Sequence, residues 1–215
     1  MRRFLDRADA GRMLARELHP YANHDDTLVL ALPRGGVPVA HEIARELNAP
    51  LDIFMVRKLG FPGHEEFALG AIASGGVRVL NPQAFRLIDF SDEEVNEIAA
   101  KEMRELERRE LIYRGDRPIS EVRGKTIILV DDGLATGSTM RAAVQALRLL
   151  GPKRIVVSVP VGSADACELL SREADEVVCA AIPNPFHAVG EWYVDFGQTS
   201  DEQVHELLDE AHFAE

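Results

Sequence analysis

Apolar positions along this chain alternate between two rhythms. Between Asp6 and Leu18, the residues Ala10, Met13, Leu14 and Leu18 recur at three- and four-residue steps, and Asp6 is placed to cap the first turn of a helix. Thr27-Leu28-Val29-Leu30-Ala31-Leu32 is an unbroken apolar run ended by Pro33, which suits a strand covered on both faces. A Gly pair follows, and Val37 to Leu47 returns to helical spacing. Leu51 to Val56 reads as the next strand and Ala68 to Ala73 as a third. The longest predicted helix covers 92–112 and opens on a capping box of Ser91 and Glu94. Its apolar stripe (Val95, Ile98, Ala99, Met103, Leu106) is narrow and its other faces are charged. It therefore reads as a solvated helix lying on the domain, with a homodimer contact as the alternative.

The second half repeats one unit more clearly. Thr126 to Val130 is an apolar strand, 131–138 a polar loop containing glycine, and 139–150 an amphipathic helix. That helix sets Met140, Ala143, Val144, Leu147 and Leu150 on one face and stops at Gly151. Ile155 to Val159 is the following strand, and so close a succession predicts a right-handed βαβ crossover in a parallel sheet. A helix near 163–171, a strand near 176–181 and a last helix with a capping box of Ser200 and Gln203 complete the pattern. The expected fold is a single α/β domain over 1–215, an open, mainly parallel sheet flanked by helices. Ligands in such sheets bind at the carboxyl ends of the strands.

Composition narrows the function. Hydrophobic residues make up 46% and charged residues 28% of the 215 residues, as in ordinary globular domains. The net charge of −12, from 36 acids and 24 bases, argues against holding nucleic acid, which needs a basic field. A small anion in a cleft remains compatible, because it responds to the local field. No stretch approaches the roughly 18–20 apolar residues of a membrane span, and the basic start is followed at once by Asp6 and Asp9, so no signal-peptide core is expected. Cys167 and Cys179 form no CxxC and fall in apolar segments, so buried, reduced thiols and a cytoplasmic setting are expected.

Chemistry enters where the 126–130 strand ends. Asp131 and Asp132 emerge first, and Thr136-Gly137-Ser138-Thr139 runs into a helix N-terminus, where unpaired N–H groups and the helix dipole favour a phosphate. Gly137 permits close backbone approach, and Thr136, Ser138 and Thr139 offer hydroxyls. Two carboxylates beside a phosphate would repel it, unless they accept hydrogen bonds from sugar hydroxyls or sit near a bridging cation. The loop has no lysine of the GxxxxGK[ST] type, and the fingerprint GxGxxG is missing. A bare strand–helix turn with an acidic start is the structural alternative.

Ile127 to Thr139 resembles the phosphoribosyl-pyrophosphate (PRPP) motif of type I phosphoribosyltransferases. The resemblance covers a core of about 27–181 and implies that family's fold, with a small variable hood drawn from the N-terminal and 182–215 segments. It implies that Asp131 and Asp132 bind the ribose hydroxyls while Ala135, Thr136, Gly137, Ser138 and Thr139 cradle the 5-phosphate. Pyrophosphate would lie on Leu32-Pro33-Arg34-Gly35-Gly36-Val37, where an Arg and two glycines before a helix also make an anion site on physical grounds. Relatives often carry a non-proline cis peptide in this loop, which places one at or next to Arg34-Gly35.

Arg57 and Lys58 end a strand before the segment that forms a closing flap in the family, and Arg57 or Lys58 is expected to contact pyrophosphate, with ordinary surface charge as the alternative. His64 starts no HExxH site, since Ala68 stands where the second histidine would be, and reads as an exposed loop residue, with a catalytic or ligand role as the alternative. Phe186, Trp192 and Tyr193 either stack an acceptor ring or pack the edge of the core.

The implied activity is transfer of 5-phosphoribosyl from PRPP to a nitrogen acceptor, a nucleobase or related ring, with release of pyrophosphate. Mg²⁺ would be held mainly by PRPP oxygens and water, with no protein metal site. Ala135 occupies the position where 6-oxopurine-specific relatives carry an acid, which weakens a hypoxanthine–guanine reading and leaves the acceptor open. A regulator that senses PRPP or a nucleotide without turnover, and a hydrolase of a phosphorylated sugar, are the alternatives.

Overall fold

A computed structural model of the protein describes residues 3–61, 64–81 and 91–213. The first half runs α1 (Arg7–Glu17), β1 (Thr27–Ala31), α2 (Gly36–Leu47), β2 (Leu51–Ile53), β3 (Val56–Phe61), β4 (His64–Ala73) and β5 (Val77–Leu80). The second half runs α3 (Asp92–Arg114), β6 (Thr126–Val130), α4 (Ser138–Leu150), β7 (Arg154–Val161), α5 (Ala164–Ser171), β8 (Glu176–Ala181) and α6 (Asp201–Phe213). The main sheet has the order β2-β1-β6-β7-β8, and every pairing in it is parallel. A smaller antiparallel sheet, β3-β4-β5, stands apart from it.

The apolar runs explain the two-sided cover. Along β1, Val29 and Ala31 face the core layer that includes α1, α2, α3 and α6, while Leu28 and Leu30 face the layer with α4 and α5. Ile128 and Val130 of β6 repeat the first choice, and Ile127 and Leu129 the second. A strand covered on both faces has no polar side to show, hence the unbroken runs. The chain leaves β1 toward β2 on one side and leaves β6 toward β7 on the other. The point where the direction reverses lies between β1 and β6, whose registers run from Thr27 opposite Thr126 to Ala31 opposite Val130. Their carboxyl ends thus stand side by side and open a crevice.

Most predicted elements appear with their caps. Asp6 accepts from the Asp9 N–H, Ser91 and Glu94 close a capping box, and Ser200 pairs reciprocally with Gln203. The strand expected over Leu51–Val56 is two strands in different sheets. Met55 turns away there, its N–H donating to Ser74 Oγ at 2.8 Å while Ser74 N–H returns to Met55 O at 2.9 Å. The run ending at Ala73 joins the antiparallel sheet, not the parallel one. An apolar run specifies burial and cannot specify which neighbour it pairs with.

Helix α3 is more than a solvated cover. Its Arg114, 5% exposed, donates through Nε to Asp52 Oδ1 at 2.9 Å and through Nη2 to Ile53 O at 3.1 Å. Glu110, also buried, accepts from Ser74 Oγ at 2.5 Å. An ion pair to β2 and a hydrogen bond from the turn after β4 supplement the narrow apolar stripe. Near the termini, Phe4 N–H donates to Trp192 O at 2.9 Å and Val194 N–H to Phe4 O at 2.8 Å, joining the first residues to the 192–195 segment. Both cysteines are free, Cys167 buried and Cys179 partly so. Among the described residues, no helix is long and apolar enough to cross a membrane.

Candidate active site

Two loops meet at the crevice. After β6, Asp131 and Asp132 are partly buried, and Ala135, Thr136, Ser138 and Thr139 are exposed around the buried Gly137. Gly137 has φ 71°, a left-handed conformation that glycine adopts without the cost a side chain would bring, and it turns the chain into α4. The loop is anchored from behind. Leu134 N–H donates to Val161 O at 2.8 Å, and Ser163 donates through its N–H to Leu134 O at 2.9 Å and through its hydroxyl to Ala135 O at 2.7 Å. The exposed face is left for a ligand. It presents the first turn of α4, where Thr136 Oγ1 accepts the Ser138 N–H at 3.4 Å and the cap residue Gly137 has no side chain to cover the N–H groups that follow.

The second loop, after β1, enters α2 with Gly35 at the cap and no side-chain capping bond. A Cβ on Gly36 would come within 2.7 Å of Val130 O, and one on Gly35 within 2.1 Å of Asp132 Oδ2. The glycines are required because this loop lies directly against the acids of the other. The peptide bond between Pro33 and Arg34 is cis, next to the position expected for it.

The predicted bases take different positions. Lys58 reaches across from β3, and its Nζ donates to Ser138 Oγ at 2.9 Å, so it joins the loop after β6. Arg57 turns to α3 and donates to Glu102 at 2.7 Å through Nε. Arg34 lies 3.5 Å from Asp201 Oδ1, which also accepts the Tyr113 hydroxyl at 2.8 Å. Burial, with that hydrogen bond second, pushes the Tyr113 hydroxyl up to about 12. The expectation for the His64 side chain lies outside the described residues.

The sequence did not disclose Arg7. Its Nε and Nη2 donate to Asp132 Oδ2 at 2.9 and 2.8 Å. Tyr193, 3% exposed, donates its hydroxyl to Asp132 O at 2.7 Å and sets its ring against Phe4 and Phe196, 5.5 and 4.9 Å between centres. Of the two roles open to it, Tyr193 therefore takes the packing one, and Phe186 and Trp192 lie partly buried against the same cluster. Burial, then the Asp132 charge, raises the Tyr193 hydroxyl above its ordinary range. Loss of water around Asp131, reinforced by the Asp132 charge, raises its carboxyl well above the usual carboxylate range. Beyond Arg7, a cleft of about 370 Å³ opens between the start of α1, Pro38, the 195–199 segment and α6.

Among the described residues, no three metal-ligating side chains converge. Asp131 and Asp132 alone could touch a cation, as partners to one that brings most of its oxygens with a ligand. A sugar with an anionic group at each end would fit between the two loops.

An α/β fold carrying paired acids and two glycine-bearing loops at its switch point is the class these observations define. The chain belongs to the phosphoribosyl transferase domain family, whose sequence profile matches residues 3–196. It is 46% identical over 217 aligned residues to proteins from two Mycobacterium tuberculosis strains, provisionally named phosphoribosyl transferases, covering 100% of this chain. The chain spans about half the length of those curated relatives, 49%. It is also 33% identical over 129 residues to the bifunctional protein PyrR of Chloroflexus aurantiacus, covering 59% of this chain and 65% of that one. The crystal structure of TT1426 from Thermus thermophilus superposes with a TM-score of 0.87 at 46% identity, covering 98% of this chain and 99% of that one.

Proposed function

We propose that this protein transfers 5-phosphoribosyl from PRPP to a nitrogen acceptor, a nucleobase or related ring, and releases pyrophosphate. The observation that carries this reading is the meeting of the 131–139 loop with the 33–36 loop, so close that a Cβ on Gly35 would strike Asp132 at 2.1 Å. Loops that abut can bind opposite ends of one small molecule. Family membership and the Thermus thermophilus likeness support the same reading.

In this scheme, the N–H groups at the start of α4 and the hydroxyls of Thr136, Ser138 and Thr139 hold the 5-phosphate. Asp131 and Asp132 accept the ribose hydroxyls. The N–H group of Gly35, with Arg34 and Lys58, meets the pyrophosphate as it leaves, while the Gly36 N–H donates to Leu32 O at 3.0 Å and holds the loop. The C1–oxygen bond to pyrophosphate breaks, the bond from C1 to the acceptor nitrogen forms, and the acceptor's proton passes to solvent. Mg²⁺ bound by PRPP oxygens would neutralise the leaving group. No nucleophile from the chain is required, so the residues act by orientation and charge. The joined terminal segments are the hood of this scheme, and free Cys167 and Cys179 suit a cytoplasmic enzyme.

The test is pyrophosphate release from PRPP with Mg²⁺ and a panel of nitrogen bases. Release that depends on one base is the expected result. Release without any base would make the protein a hydrolase, and PRPP binding without release would make it a sensor.

A further inference from the structure

Arg7 is held on three sides. Nε and Nη2 converge on Asp132 Oδ2 at 2.9 and 2.8 Å, and Nη1 donates to Gly197 O at 2.7 Å. The guanidinium carbon lies 4.0 Å from the centre of the Phe196 ring. The side chain is 12% exposed, so solvent screens these contacts little. A flat guanidinium stacked on a ring and bonded at both ends has little freedom left to lose.

The direction of its bonds matters more than their number. Both donors take the same oxygen of Asp132, and among the described residues no donor reaches the other oxygen, Oδ1. The backbone oxygen of Asp132 takes the Tyr193 hydroxyl at 2.7 Å. Asp132 is thus fixed by side chain and main chain at once, from the start of α1 and from the C-terminal segment. Two adjacent carboxylates repel one another, and Arg7 is the cation placed to offset that repulsion.

We infer that Arg7 is the positioning residue of the sugar site, holding the Asp132 side chain with Oδ1 turned to a ribose hydroxyl and tying that acid to the terminal segments that close beside it. This rests on the PRPP reading above. Arg7 also lines the neighbouring cleft. The groups facing the acid pair are Arg7 from α1 and Tyr193 from the C-terminal segment, while Lys58 and Arg34 are directed to Ser138 and Asp201.

The experiment measures PRPP binding with Mg²⁺ by titration calorimetry on the full chain, as wild type, Arg7→Met and Arg7→Lys, between about pH 5 and pH 8. Thermal unfolding of each variant is recorded alongside. Arg7→Met is expected to weaken binding about tenfold or more, the loss appropriate to a charge-assisted hydrogen bond. Its binding should also begin to fail at higher pH on acidification, because the charge that opposes protonation of the pair is gone. Arg7→Lys should restore the pH dependence and part of the affinity. Unchanged affinity and pH dependence in a folded Arg7→Met would overturn the inference, and so would tighter binding, which would make the contact a block. A fall in melting temperature with no change in the pH dependence would reduce Arg7 to a structural role and overturn it too. Absence of PRPP binding by the wild type would overturn the donor reading itself, and the inference with it.

Discussion

At the scale of single residues, the acids after β6 face a conflict between stability and binding. Asp131 has a carboxyl raised by burial and by its neighbour's charge, so its protonated form is the one the fold prefers. A group whose folded pKa lies above its unfolded value contributes stability below the unfolded pKa and loses it as pH rises through the folded one. Asp131→Asn should therefore raise the melting temperature at pH 7, by roughly 2–4 °C for each kcal/mol relieved, and give no gain near pH 3. Scanning calorimetry at the two pH values checks this, and a lower melting temperature at pH 7 would contradict it. Combined with Asp132→Asn, the same change should abolish PRPP binding in a titration. Gly35→Ala makes an independent test of the loop contact. Its methyl would lie 2.1 Å from Asp132 Oδ2, so Asp132 must move, and PRPP affinity should fall about tenfold or more. These acids and glycines were legible because chemistry restricts them to few residue types. Arg7 was not, since its partner lies 125 residues away and its local setting, just after a helix cap, reads only as a helix start.

The elements follow the hydrophobic pattern closely where one strand or helix suffices to explain it. β1, β6, β7, β8 and the helices between them came out near their expected limits, with caps at Asp6, Ser91 and Ser200 in place. β2 and β3 did not, because the break at Phe54 and Met55 is set by hydrogen bonds to Ala31 and Ser74. Helix α3 carries a similar lesson. Its polar residues looked solvated, yet Glu110 and Arg114 are buried against Asp52 and Ser74. Arg114→Met removes the cation whose Nε lies 2.9 Å from Asp52 and whose Nη1 lies 3.5 Å from Glu110, so a loss of about 3–5 kcal/mol is expected. Urea denaturation monitored by circular dichroism would show it, and a loss below about 1 kcal/mol would mean that these charges are hydrated after all. Lys58→Ala tests the bond between the antiparallel sheet and the phosphate loop. It should raise the KM for PRPP while leaving the unfolding temperature almost unchanged, because the Lys58–Ser138 contact is exposed.

For the whole molecule, the crevice is a consequence of topology. The chain departs in opposite directions from β1 and β6, and so two loops far apart in sequence are left facing one another. A ligand that bridges them binds only the folded chain. PRPP at about one hundred times its Kd should then add about 2.7 kcal/mol of stability, seen as a rise in unfolding temperature that grows with ligand concentration. The alternation of elements, the loop after β6 that opens on two acids, and the glycine-bearing loop after β1 could all be read along the chain. These depend on period, on capping and on glycine, all properties of neighbouring residues. Only the tertiary structure decided that β3 leaves the main sheet, that Lys58 turns to Ser138 while Arg57 turns to Glu102, and that Arg7 takes hold of Asp132. Those outcomes depend on which distant segments share a face. A long side chain exchanges one partner for another within a few ångströms, and no local pattern records that choice.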